Sequence, residues 1–246
     1  MSFNKYHYSM IIKNTLLLII FFTSIIFPQY NGKNFSLSVN GVYTTTAKLF
    51  LNPNSTDVTV RNQSFLIEDI LNPGLDFRYR LTEPIAIGLN IEYMVKTSSG
   101  PNLRLFSGSS AVTVDVEDGF KMIPVELSIH YLLPFSTESF KFFMGGGMGY
   151  YFGEQIRKFS DVEVENAERK SAYGIHVSIS MDYVINSIIA VRGEMKFRDP
   201  QFTVKNRYTK EFVNYEGDVY RIPQEFFDSK INVDGVTFVL GAVFLF

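Results

Sequence analysis

The chain has 246 residues, a formal charge of −2 and no cysteine. A disulfide framework, thiolate chemistry and a cysteine zinc site are therefore excluded, and the near-neutral charge gives no support for nucleic-acid binding. An apolar fraction of 46% suits a soluble protein but also a spanning barrel, whose strands are only half apolar; 24 Phe and 14 Tyr with no Trp are the compositional anomaly.

The N-terminus reads as a targeting segment. Lys5 and Lys13 precede an apolar run from Thr15 to Phe27, followed by Pro28-Gln29-Tyr30-Asn31-Gly32. A charged start with a short apolar core describes a secretory signal peptide, and the run is short for a spanning helix of ~20 residues. We expect a signal peptide over 1–29, starting at Met1 or Met10, and one domain over 30–246.

From residue 34 the dominant pattern is period-2 alternation. Strand one sets Phe35, Leu37, Val39 and Tyr43 against Ser36, Ser38 and Asn40. Strand two sets Leu75, Phe77 and Tyr79 against Asp76, Arg78 and Arg80. Strand three sets Ile87, Leu89, Ile91 and Tyr93 against Gly88, Asn90, Glu92 and Lys96. Strand four sets Val125, Leu127, Ile129 and Tyr131 against Glu126, Ser128 and His130. Strand five sets Phe142, Met144, Met148 and Tyr150 against Lys141, Gly145, Gly147 and Gly149. Strand six sets Tyr173, Ile175, Val177, Ile179 and Tyr183 against Gly174, His176, Ser178, Ser180 and Asp182. Strand seven sets Val191, Met195 and Phe197 against Arg192, Glu194, Lys196 and Arg198. The last strand carries Val236, Phe238, Leu240, Ala242, Phe244 and Phe246 on one face. Short turns near 82–84, 134–139 and 184–187 alternate with long polar loops expected near 45–72, 97–119, 153–170 and 199–231. The fold class is thus all-β: an eight-stranded antiparallel up-and-down transmembrane β-barrel with one short-turn end and one elaborate end.

Alternation alone leaves open which face is outward, because a soluble lipocalin-like barrel alternates too. Three features choose lipid for the apolar face. The polar face is small, as a narrow eight-stranded lumen requires. It carries charges of both signs, a lumen network of Asp76, Arg78, Arg80, Glu92, Lys96, Glu126, His130, Asp182, Arg192, Glu194 and Lys196, which can neutralise itself. Aromatics on the apolar face gather at both strand ends, forming girdles of Tyr43, Tyr93, Tyr150, Tyr173 and Phe197 at one rim and Tyr79, Tyr131, Tyr183 and Phe244 at the other.

On these patterns, residues 34–246 resemble the eight-stranded OmpA/OmpX/OmpW-like barrels of the outer-membrane β-barrel domain families of Gram-negative bacteria. The resemblance implies residence in the outer membrane after Sec secretion, with Phe246 as the C-terminal insertion signal. It also implies contact with outer-membrane lipid and lipopolysaccharide, biogenesis by barrel-assembly machinery and periplasmic chaperones, and a monomer. No cofactor or metal is called for. It implies either a structural or adhesive barrel with a plugged lumen, or a narrow porin-like channel for small or hydrophobic solutes.

Three motifs compete with that reading. Some outer-membrane barrels modify lipid A with a His-x-Ser pair, and His176-Val177-Ser178 and Ser128-Ile129-His130 have that form. Both fall on the lumen side, where i and i+2 side chains stand ~6.6 Å apart along the strand, so we expect lumen filling and no enzymatic activity. Gly145-Gly146-Gly147-Met148-Gly149 lacks the Lys-Ser/Thr of a phosphate loop and suits a strand crowding past bulky neighbours. The acidic stretches 115–118 and 161–165 lack EF-hand spacing; their alternation suggests strands that continue beyond the membrane as hairpins. The 199–231 loop is rich in aromatics (Tyr208, Phe212, Tyr215, Tyr220, Phe226, Phe227) and is a candidate mouth cap or binding loop.

Overall fold

The computed structural model describes residues 32–107, 110–222 and 225–246; the targeting segment expected at 1–29 lies outside them. In chain order the described elements are β1 (Phe35–Phe50), α1 (Val58–Asn62), β2 (Ser64–Arg80), β3 (Ile85–Glu92), β4 (Met94–Ser107), β5 (Ser110–Leu132), β6 (Phe140–Phe159), β7 (Val162–Lys170), β8 (Ala172–Val184), β9 (Ile189–Arg198), β10 (Gln201–Tyr208), β11 (Phe212–Tyr215), β12 (Asp218–Arg221), β13 (Phe227–Asn232) and β14 (Val236–Leu245).

Antiparallel ladders join β1 to β2, β2 to β3, β3 to β5, β5 to β6, β6 to β8, β8 to β9, β9 to β14, and β14 back to β1. That circuit has no free edge. The closing seam pairs Ser36 with Leu245 through to Thr44 with Thr237. It is finished by reciprocal backbone hydrogen bonds between Phe35 and Phe246 (2.9 and 3.0 Å), whose rings stack at 6.2 Å. Closure matters because an open edge in hydrocarbon leaves backbone groups unpaired, at several kcal/mol each. The turns at this end are tight; at 184–189, for example, Asn186 Oδ1 accepts from the backbone of Ile188 and Ile189.

At the other end the strands run on. Most of the residues expected in long polar loops are strand: the upper parts of β1 and β2, all of β4, the first half of β5, the last part of β6, β7, β10, and β11 to β13. The cause is visible along β5. Its outward residues change from Ile123, Val125, Leu127 and Ile129 to Lys121, Glu117 and Asp115. Its inward residues change from Glu126, Ser128 and His130 to Met122, Phe120, Val116 and Val114. β6 changes likewise between outward Phe152 and Glu154. Alternation persists, but its sense inverts: an apolar exterior with a polar interior becomes a polar exterior with an apolar interior. A sheet leaving lipid for water must make this change to bury its apolar side.

In this extension the single 14-stranded sheet runs as two arms. One contains the upper part of β2 with β1, β13, β10 and β7; the other contains β12, β4, β5 and β6, with β11 at its margin. Their described ladders meet only where the β6–β7 hairpin turns, at Lys158–Glu163 and Phe159–Val162. In β2, the left-handed φ of 54° at Asp69 is costly for a non-glycine residue. It changes which parity faces inward, from Ile70 and Asn72 below to Ile67 above. Tyr43 Oη donates to Asp69 Oδ1 at 2.6 Å and Lys96 Nζ to its carbonyl at 3.1 Å, holding the turned backbone.

Candidate functional site

The interior is a stack of four layers, and each side chain's place follows from strand parity. The lowest, at the short-turn end, is ionic. Arg192 donates to Asp182 through Nε and Nη2 (2.7 and 2.8 Å) and to Asp76 through Nη1 (2.5 Å). Arg78 links Asp76 (2.8 Å) to Glu194 (2.7 Å). Arg80 donates to Asn34 at 2.7 Å. In the upper part of the same layer, Arg198 bridges Glu92 (2.7 Å) and Glu126 (2.9 Å), while Lys196 reaches Glu126 (2.6 Å) and Glu92 (3.3 Å). Arg198, Glu92 and Glu126 have side-chain exposures of 0% and Lys196 of 3%. Buried ions are tolerated only when paired in this way. Arg198, which sequence parity places on this face, makes both bridges.

Lys96 corrects the expected network. It lies at the upper rim on the Asp69 carbonyl and pairs with no lumen acid among the described residues. His130 is buried, but neither ring nitrogen has a hydrogen-bond partner among the described residues. The histidine–serine contact runs between strands, Ser128 Oγ to His176 Nε2 at 2.8 Å, not within either His-x-Ser motif. Among the described residues Nδ1 of His176 has no hydrogen-bond partner; a catalytic pair uses an orienting third group at that position. Gly149 shows why the glycine run exists: a Cβ there would sit 2.3 Å from Tyr151 Oη, and that hydroxyl donates to Glu126 at 3.0 Å.

The next layer is apolar, formed by Leu49, Ile67, Met94, Phe120, Met122 and Phe202 with Tyr151 beneath them. A third layer is polar: Arg157 grips both oxygens of Asp118 at 2.8 Å and donates to Tyr208 at 2.9 Å, and Asn206 donates to Gln155 at 2.6 Å. The cap is apolar, with Leu105, Val114, Phe159, Tyr208, Tyr220 and Ile222. Sequence reading missed the two apolar layers because it treated many of their residues, such as Leu49, Ile67, Val114 and Phe202, as loop; the inverted alternation is the signal that marks them.

Outside, Leu127, Ile129, Ile175 and Val177 are exposed at 62, 61, 74 and 56%. They belong to a belt that runs round the wall and far exceeds the few hundred Å² of contiguous apolar surface a soluble monomer shows. Aromatics border it. At the lower rim Phe35 packs on Tyr79 (4.8 Å) and Phe140 on Tyr183 (5.0 Å), with Tyr131 and Phe244 exposed. At the upper rim Tyr150 meets Tyr173 (4.9 Å) and Tyr43 meets Phe238 (6.5 Å), with Tyr93 and Phe197 exposed. Phe35 to Tyr43 spans eight residues, about 26 Å of strand and roughly 20 Å of depth at a tilt near 40°, close to the ~25 Å apolar band of membrane barrels.

No protein-family model matches the chain, and no curated protein matches it in sequence. Solved structures do. The chain is similar to the outer membrane protein OprG from Pseudomonas aeruginosa, with 14% identity and a TM-score of 0.59 over 89% of this chain and 98% of that one. It also matches the attachment invasion locus protein Ail of Yersinia pestis (10%, TM-score 0.43, 87 and 99% covered) and Neisserial surface protein A (11%, 0.45, 86 and 97%). The lipid-facing belt, the closed strand circuit and the OprG likeness agree: the chain is an eight-stranded β-barrel with the fold of bacterial outer-membrane proteins, built to sit in the outer membrane.

Proposed function

We propose that the protein is a non-enzymatic structural or adhesive barrel with a plugged lumen, whose β-sheet extension presents a surface outside the cell. The observation that carries this reading is the mutual ion pairing of Glu92, Glu126, Lys196 and Arg198 across the lumen at 0–3% side-chain exposure, beneath a packed apolar layer. An ion crossing would have to break those bridges and then enter a dry layer, both costly. Refolded protein in planar bilayers is expected to give no steady conductance. Steady openings whose size or selectivity shifts in Glu126→Gln would contradict the plug.

One observation favours a second reading, passage of small apolar solutes. Between Phe152 and Arg157, β6 has a ladder with β5 but none with β7. The gap is clipped by Asn166, whose amide exchanges hydrogen bonds with the Gln155 backbone (2.9 and 3.0 Å). Inside, the Phe202 ring fills the place where a Cβ on Gly153 would fall, 2.2 Å away. Outside is a cavity of about 210 Å³ lined by Lys121, Phe152, Glu154 and Arg169. On this reading Asn166→Gly with Phe202→Ala speeds uptake of an apolar dye into proteoliposomes; an unchanged rate removes it.

A further inference from the structure

The stretch following β1 and the residues entering β13 border an open hollow of about 460 Å³ on the surface of the extension, lined by Asn52, Asn54, Ser55, Val60, Phe226 and Asp228 among others. Its walls come from opposite ends of the chain and are clipped together: Asn54 Nδ2 donates to Asp228 Oδ2 at 2.6 Å. Each wall is also braced within itself. Ser55 N donates to the Asn52 carbonyl (3.2 Å), Ser55 Oγ accepts from Asp57 N (3.2 Å), and Asp57 caps α1 by accepting from Thr59 N (2.8 Å). Phe227 packs on Tyr208 at 5.3 Å, fixing the chain beside Phe226. The Phe226 ring is 54% exposed and is held by Lys205 and Arg207, 5.8 and 5.3 Å from its centre. Such a preorganised site loses little entropy on binding.

The lining selects a chemistry. Phe226 and Val60 supply flat apolar surface. The Asn52 side chain, Asn54 Oδ1 and Asp228 Oδ1, which make no hydrogen bond among the described residues, supply donors and acceptors. Asp228 is the one charged group among the lining residues. An acyl chain would leave those polar atoms unpaired, which is costly. A polyanion would meet a carboxylate and no cation among the lining residues. A pyranose ring satisfies both parts of the wall: its C–H face covers the aromatic ring while its hydroxyls pair with the amides and the carboxylate. The volume lies within the 300–1,000 Å³ range of small-molecule sites.

We propose that this cavity binds a neutral hexose unit of a glycan, an inference that rests on the adhesive reading and names its partner. The test is full-length mature protein, refolded in detergent, on an array of neutral and acidic oligosaccharides, with adhesion of expressing cells measured in parallel. Binding to neutral hexose-terminated glycans is expected. It should fall at least tenfold in Phe226→Ala and Asp228→Ala and persist in Phe226→Tyr, with heat-modifiable gel migration showing that each variant folds. Absence of neutral-glycan binding while cells still adhere overturns the site and leaves the adhesive reading standing. Absence of both overturns the two together. Binding confined to acidic glycans, retained in Phe226→Ala and lost in Lys205→Ala, assigns recognition to the outer basic patch and also overturns the site.

Discussion

Arg198 touches two carboxylates that have few other cations to satisfy them. Truncating it to alanine leaves Lys196 as the one cation paired with Glu92 and Glu126 among the described residues, beside uncharged hydrogen bonds from Asn72 and Tyr151. Removing one member of a buried ionic set costs about 3–5 kcal/mol, so urea unfolding of Arg198→Ala in lipid is expected to show a loss of that order. A change under about 1 kcal/mol would mean that the lumen is wet. A contrasting ion pair lies in the extension, at the β6–β7 turn, where Lys210 hydrogen-bonds Asp161. That bond, the largest influence, holds the Asp161 carboxyl below its ordinary value. A depressed carboxylate contributes stability above its unfolded pKa, ~3.9, and loses it as pH falls through the folded value. The Asp161 NMR titration should therefore have a midpoint below that of an ordinary aspartate, and Lys210→Gln should restore it. Both side chains are at least half exposed, so the effect belongs to the turn and leaves global stability nearly unmoved.

Single strands carry the inversion from lipid to water, and β5 records all of it. Leu127→Arg places a charge in the middle of the belt and is expected to cost about 2–4 kcal/mol. Asp115→Arg, on the same outward face but beyond the upper aromatic ring, should be nearly neutral. Val116→Arg, inward in the extension, should cost more than about 2 kcal/mol by burying an unpaired charge. Unfolding midpoints of the three in one lipid system check the pattern. The membrane half of each strand was legible because its alternation has a single sense and is bounded by aromatics. Residues 45–72 and 97–119 were not: charges such as Glu68, Asp115 and Glu117 resemble loop composition when the eye expects apolar residues outside. The alternation of Val114 and Val116 with Asp115 and Glu117 shows a strand, as the hairpin expectation held, but only pairing shows that its apolar side turns inward. Asp69 hides a further change of face in β2, because nothing in the residues around it announces a left-handed turn.

As a whole, the molecule is one continuous wall serving two solvents. Its lower half is inside-out, with ions within and an apolar belt without; its upper half has a polar exterior and an interior of two apolar layers around the Arg157–Asp118 pair. The ionic residues could be assigned to the lumen from parity alone, but their pairing could not. Cross-strand partners such as Arg198 and Glu92, or Ser128 and His176, are set by barrel closure, which joins residues far apart in sequence. The aromatic 199–231 loop, Phe226 included, could be named as a candidate binding loop, but its meeting with Asn54 could not, since the two walls are 174 positions apart. The account depends on where the wall changes solvent. The chain has no cysteine, so single spin labels can be placed without background at outward β5 positions 115, 117, 121, 125, 127 and 129 in reconstituted protein. Collision with oxygen, which concentrates in lipid, is predicted to dominate at 125, 127 and 129, and collision with a water-soluble nickel chelate at 115 and 117, with the crossover beside Lys121. Chelate access at 127 and 129 equal to that at 115 would place the apolar belt in water and contradict the account.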